Sequence, residues 1–210
     1  LYSSAASDVY KRQIYMSEVA NSRIRNLLKP IIELLSGIPS VVYGFFGLIV
    51  IVPFIQKVFN LPVGESGLAG SIVLAIMALP TIITVTEDAM RNCPRAMREA
   101  SLALGASQWQ TIYKVVIPYS VSGITSGVVL GIGRAIGETM AVLMVTGNAA
   151  VIPHTILEPL RTIPATIAAE LGEAPAGGAH YEALFLLGVV LFFISLLINF
   201  TVEAVSARKR

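Results

Sequence analysis

The sequence predicts an all-α membrane protein, a polytopic helical bundle with about four spans, on three observations. Of its 210 residues 55% are hydrophobic and 13% charged, whereas a soluble domain carries about 25% charged residues; too little polar surface is left to face water on every side. Mean hydropathy is +0.75. The apolar residues are gathered into runs on the scale of the ~20 residues a helix needs to cross the hydrocarbon core. Backbone groups in lipid must bond within the segment, which selects helices, and no barrel-type alternation is visible.

The elements follow in order. Leu1 to Gln13 is polar, Ser/Ala-rich and then basic, without the apolar stretch a signal peptide needs. The first span is read over Pro30 to Gln56. Glu33, near its start, reads as a solvated interfacial carboxylate. A Gly37-Ile38-Pro39-Ser40 break is either a packed kink or free backbone lining a cavity. The second span, Leu68 to Val85, has no charge. The third, Tyr119 to Asn148, holds Arg134 and Glu138 at its middle. The fourth, Ala183 to Val202, is uncharged.

Four spans give alternating sides, and basic residues mark the cytoplasmic one. Twelve of the 15 basic residues share a side: Lys11, Arg12, Arg23, Arg25, Lys29, Arg91, Arg95, Arg98, Lys114, Arg208, Lys209 and Arg210. Only Lys57 and Arg161 lie opposite, and Arg134 lies within a span. Both termini are therefore expected in the cytoplasm. The segment Ala149 to Tyr181 is then external. It is expected to hold a short helix over Pro164 to Ala174, ended at Ala176-Gly177-Gly178-Ala179. A loop of that length either covers or gates something or is a spacer.

The third span carries Gly123, Gly127, Gly131 and Ala135 at four-residue spacing, with Gly133 and Gly137 in an offset row. Such stripes let helix backbones approach closely in lipid. The Gly131 to Gly137 segment has neither GxGxxG nor P-loop spacing, and there is no P-loop elsewhere, so this chain is not expected to hydrolyse ATP.

The cytoplasmic loop, residues 87–117, is the most informative. Pro94 suits a first helical turn. Met97, Ala100, Ser101 and Leu104 fall on one face, and Gly105 supplies a left-handed stop. A second short surface helix is expected over Gln108 to Val116, with Pro118 opening the next span. On composition alone, an amphipathic helix resting on lipid is as good an account as a docking element.

Glu99-Ala100-Ser101, then Gly105, then nine residues, then Val115-Val116-Ile117-Pro118 resembles the EAA loop of ABC importer permeases, with Ser101, Val115 and Ile117 as mild departures. The resemblance implies the MetI-like permease fold over residues 14–210. It also implies a coupling helix at Glu99, Ala100, Ser101 and Gly105 that docks on a cytosolic ATP-binding subunit. Gly37 to Gly44 and Gly133 to Ala141 resemble phosphate permeases, and Thr166 to Phe185 looks more like the C-type subunit (PstC) than its A-type partner. The partners so implied are an A-type permease subunit, cytosolic ATP-binding subunits and an extracytoplasmic phosphate-binding protein, in a bacterial inner membrane. No cofactor is expected on this chain, ATP being used by its partners. Residues 1–13 do not match and are read as an unrelated leader. The family carries further spans before this point, so the chain is expected to be a fragment.

Arg134 and Glu138 are four apart and are expected on one helix face. Charges at membrane depth usually pair or line water. One reading puts Arg134 on the translocation path, attracting phosphate, with Glu138 holding its guanidinium. The other is a structural ion pair. Cys93, a single cysteine, excludes an internal disulfide. His154 and His180 suit no metal site, and Trp109 and Tyr113 read as interface anchors. A non-transporting membrane scaffold is the alternative of a different class. An intramembrane enzyme lacks any paired-carboxylate, Ser/His or metal constellation.

Overall fold

The computed structural model describes residues 30–32 and 34–207, with 202–207 by backbone alone. The leader, Glu33, the basic residues from Lys11 to Lys29 and Arg208 to Arg210 lie outside the described residues. Four described stretches are long and apolar enough to cross a membrane: Ser40–Phe59, Gly67–Arg91, Gln108–Gly137 and Ala179–Thr201.

The first begins later than the apolar run suggested. Residues 34–37 are helical, but the chain bends at Ile38, and Pro39 is extended, with ψ at 140°. A proline disfavours helix in the residue before it, so the break falls where Gly37 to Ser40 placed it. A Cβ on Gly37 would stand in open space, while Ile38 packs against the buried cluster that holds Tyr43 and Ile51. Helix α1 (Ser40–Phe46) passes through a π turn (Gly47–Ile51) into α2 (Val52–Phe59), and α3 (Gly67–Arg91) follows.

After α3 come α4 (Arg95–Ala103) and α5 (Gln108–Thr111), then a second π turn (Ile112–Val116) and α6 (Ile117–Gly137). The separate surface helix expected over Gln108 to Val116 is therefore corrected: helix runs unbroken from Gln108 to Gly137. Pro118 does not open the span because the π turn absorbs it. Proline lacks an N–H and its ring crowds the carbonyl four residues back, and a π turn widens the helix at that carbonyl. The Ile117 N–H accordingly reaches back five residues to the Ile112 carbonyl. The same device stands before Pro53, where the Val52 N–H reaches Gly47.

The third span is thus shifted toward the N-terminus rather than lying over Tyr119 to Asn148. It ends at Gly137, and α7 (Met140–Val145) follows as a separate short helix. Then come α8 (Ile163–Glu170) and α9 (Ala179–Ala207). Thr162 caps α8 by accepting the Ala165 N–H, and a proline sits in its first turn.

The chain divides into two compact units. One comprises Gly37–Ala78 and Ile132–Asn199. Its core is Tyr43, Ile51, Val52, Ile55, Ala69, Val73, Met77, Ala141 and Val145. Small residues set its helix approaches. A Cβ on Gly44 would stand 2.8 Å from the Ala141 backbone, and one on Gly47 2.6 Å from Val73. The chain after α7 folds back onto the start of α3: the Gly67 and Leu68 N–H groups donate to the Glu158 and Ile156 carbonyls at 3.1 and 2.7 Å. That satisfies donors a helix start leaves open.

The other unit comprises, within the described residues, Leu79–Gly131 and the segments flanking the outer ends. Here a Cβ on Gly123 would meet the Ala89 Cβ at 2.3 Å, and one on Gly127 would meet the Thr86 hydroxyl at 3.2 Å. The Ser120 hydroxyl donates to the Ala89 carbonyl at 3.1 Å. Gly131 is buried. The offset row behaves differently: Gly133 and Gly137 have nothing within 4 Å of a would-be Cβ, so the close packing expected of them is not made among the described residues.

Candidate functional site

The loop between α3 and α6 presents a helix that is mostly exposed. Helix α4 has no buried residue; Glu99, Ala100, Leu102 and Gly105 are exposed, and Ser101 is half-buried. Leu104 is 89% exposed. What holds α4 is its ends. At the far end Gly105 takes φ +84°, a conformation that costs a side-chain-bearing residue about 1–2 kcal/mol. The Gly105 N–H donates to the Leu102 carbonyl and the Ala106 N–H to the Ser101 carbonyl, the paired bonds of a Schellman stop. Ser107 at once starts α5 with a capping box: its hydroxyl accepts the Gln110 N–H, and its own N–H donates to Gln110 Oε1 at 2.8 Å. The S-x-x-Q pattern carries that signal in the sequence, and the motif reading passed over it. The elbow between the helices is thus closed on both sides.

Two side-chain bonds then tie α4 to its neighbours. Arg98 Nη2 donates to the Met90 carbonyl at 2.7 Å, and the Ser101 and Thr111 hydroxyls lie 3.0 Å apart. Below them Met90, Cys93, Ile112 and Val116 form a small buried cluster, which is where the cysteine goes. Glu87 is also buried, with Oε1 3.5 Å from Arg91 Nε. Sequence reasoning named Ser101 but missed Arg98 and Thr111. A bond to a backbone carbonyl leaves no mark in the pattern of residue types.

Arg134 and Glu138 do not share a continuous helix face. Arg134 lies in the last turn of α6, where a cation complements the helix dipole. Glu138 falls in the break after Gly137, and its Oε1 accepts the Ala141 N–H of α7 at 3.1 Å. Its carboxylate therefore organises the break. Gly137 and Thr139, which flank Glu138, line a cleft of about 540 Å³ together with Pro164, Ala168 and Leu191.

In the segment after α7, Arg161 Nε donates to the Asn148 carbonyl at 3.0 Å and its guanidinium pairs with Glu170. His180 lies 3.2 Å from the same carboxylate, so it is not isolated. The His154 N–H donates to Glu158 at 2.7 Å, and that bond, first among several, holds the Glu158 carboxyl below its ordinary range. Trp109 and Tyr113 are exposed.

Comparison with known proteins agrees with this architecture. Residues 14–210 match the family model described as binding-protein-dependent transport system inner membrane component. The chain is 43% identical over 197 residues to a probable ABC transporter permease protein, YqgH, of Bacillus subtilis, covering 94% of this chain and 64% of that one. It is 38% identical over 204 residues to the phosphate transport system permease protein PstC of Mesorhizobium japonicum, covering 88% and 62%. The chain thus spans less than two thirds of the length of these relatives. Among solved structures it resembles an inward-facing form of the MetNI methionine ABC transporter, with a TM-score of 0.73 at 18% identity over 96% of this chain and 86% of that one. At that identity the likeness is one of fold.

Proposed function

Because the chain belongs to the family of binding-protein-dependent transport system inner membrane components, a family of multi-pass transport components, we propose that it is a permease subunit of an ATP-driven phosphate importer. It forms part of the translocation path and takes its drive through α4. In this reading the α3–α6 loop and both termini face the cytoplasm. The exposed face carrying Glu99 and Ala100, ended by Gly105, docks on a cytosolic ATP-binding subunit. An A-type permease subunit completes the path, and an extracytoplasmic phosphate-binding protein delivers the substrate. This chain holds no cofactor of its own.

The observation that carries the proposal is α4 itself: a helix with no buried residue, mounted on a closed elbow, at the E-A-x-x-x-x-G pattern. A helix whose residues its own chain leaves largely exposed is accounted for by a partner that covers it. Phosphate as the substrate is supported by the curated relatives that bear that name. Arg134 is the proposed attractor of the anion, held at the end of α6 beside the break that Glu138 caps; charge-assisted bonds from a guanidinium are the strong way to hold phosphate oxygens.

The test is uptake into membrane vesicles containing the full-length transporter, with labelled phosphate competed by sulfate or molybdate. ATP-dependent phosphate uptake that neither competitor blocks is expected. Uptake of sulfate or molybdate in its place overturns the substrate, and transport that survives a bulky replacement of Gly105 overturns the coupling role.

A further inference from the structure

We propose that Arg98 and Thr111 are positioning residues that convert α4 from a docked peg into a lever, each tying it to a different shaft. The inference rests on the docking role proposed above. No residue of α4 is fully buried, so its apolar contacts with the bundle are shallow and carry little of a load. The load passes mainly through the chain at the two ends of α4 or through side-chain bonds. The chain holds α4 at residues 92–94 and at the elbow, and a helix held by its ends alone can roll about the line that joins them. The Arg98 guanidinium reaches the Met90 carbonyl at 2.7 Å, in the last turns of α3. The Ser101 hydroxyl meets Thr111 at 3.0 Å, at the foot of the helical run that continues through α6 to Gly137. Thr111 is itself buried, so its hydroxyl has no ready substitute in water for the bond to Ser101. With both bonds made, a displacement of α4 moves the end of α3 and the start of the α5–α6 run together. With either cut, α4 rolls and part of the stroke is lost.

The experiment uses the full-length transporter, assembled with its partner subunits in proteoliposomes. ATP hydrolysis and labelled-phosphate uptake are read from the same vesicles, and docking is monitored by crosslinking a Leu102→Cys variant to the ATPase. Thr111→Val keeps the shape and removes the hydroxyl. It is expected to leave crosslinking and ATP hydrolysis in the wild-type range while lowering phosphate moved per ATP roughly fivefold, the factor that one neutral hydrogen bond corresponds to. Thr111→Ser restores the ratio. Arg98→Ala gives the same uncoupling, and Arg98→Lys recovers part of it. An unchanged ratio in Thr111→Val with normal crosslinking overturns the lever and leaves docking standing. Parallel loss of hydrolysis and uptake, or failure of the variants to assemble, also overturns it, because the bonds then only hold the fold. Absence of any crosslink in the otherwise unaltered protein removes the docking role itself, and the lever with it.

Discussion

Individual glycines in this chain answer to different demands, and substitution separates them. Gly123 sits where an added Cβ would stand 2.3 Å from the Ala89 Cβ. A leucine there must force α3 and α6 apart, and overpacking of this kind costs about 1–3 kcal/mol or more. Gly133, on the same helix, has nothing within 4 Å, and alanine there gains up to about 1 kcal/mol of helix propensity. Thermal unfolding in detergent should therefore show Gly123→Leu melting well below the parent and Gly133→Ala at or above it; the reverse order would contradict the assigned packing. Glu158 makes a second case. Its carboxylate is held below the ordinary range mainly by the His154 N–H, since a hydrogen bond to the charged form favours that form. A depressed folded value means the contribution is complete at neutral pH and lost as pH falls through the carboxylate range and below. Amide protection of His154, corrected for intrinsic exchange, should fall on acidification in the parent. In Glu158→Gln, which keeps an acceptor but no titrating group, it should stay level. A level profile in the parent would remove the bond from the account.

At the scale of elements, the break between α6 and α7 makes Glu138 a structural part with a testable division of labour. Its Oε1 accepts the Ala141 N–H at 3.1 Å, and removing a side-chain cap costs about 1 kcal/mol. Glu138→Gln keeps the acceptor and drops the charge; Glu138→Ala drops both. If the carboxylate serves only the cap, Glu138→Gln transports phosphate like the parent while Glu138→Ala is less thermostable. Loss of uptake in Glu138→Gln at parental stability would show that the charge acts on Arg134 or on the anion. Exchanging the two residues is a poor probe, because arginine at 138 has no acceptor for α7. The reason the sequence misled here is specific. Gly133 to Ala141 reads as uninterrupted span, since Arg134 and Glu138 stand one helical turn apart and the glycines equally suit close packing, so no residue type there marks where the helix ends. Gly105 was legible for the opposite reason: a positive φ recruits glycine, and glycine is visible. The π turns before Pro53 and Pro118 were not, because a proline announces a missing N–H but not whether the helix stops there or widens around it.

For the whole molecule, four spans were readable because length and lack of charge are properties of a run, insensitive to where its neighbours lie. Burial was not readable: the most apolar run is the least covered. The α9 window, mean hydropathy 2.7, is 6% buried, with Phe185, Phe192, Phe193 and Phe200 exposed. Water does not tolerate so large an apolar face, so α9 needs lipid or another apolar helix along most of its length. A charge on that face should then act by depth. Phe193→Arg, near the middle, carries the roughly 2.5–3.5 kcal/mol that insertion scales assign to a central arginine. Glu182→Arg, in the first turn, places its charge at the membrane edge, where long basic side chains reach the interface. Insertion scored by labelling of cysteines placed on either side of α9 should fall sharply for the first and stay near the parent for the second. If both insert alike, and a cysteine at Phe193 reacts with a water-soluble reagent as readily as one at Glu182, α9 does not lie in the bilayer. The four-span reading of this chain then loses its last member.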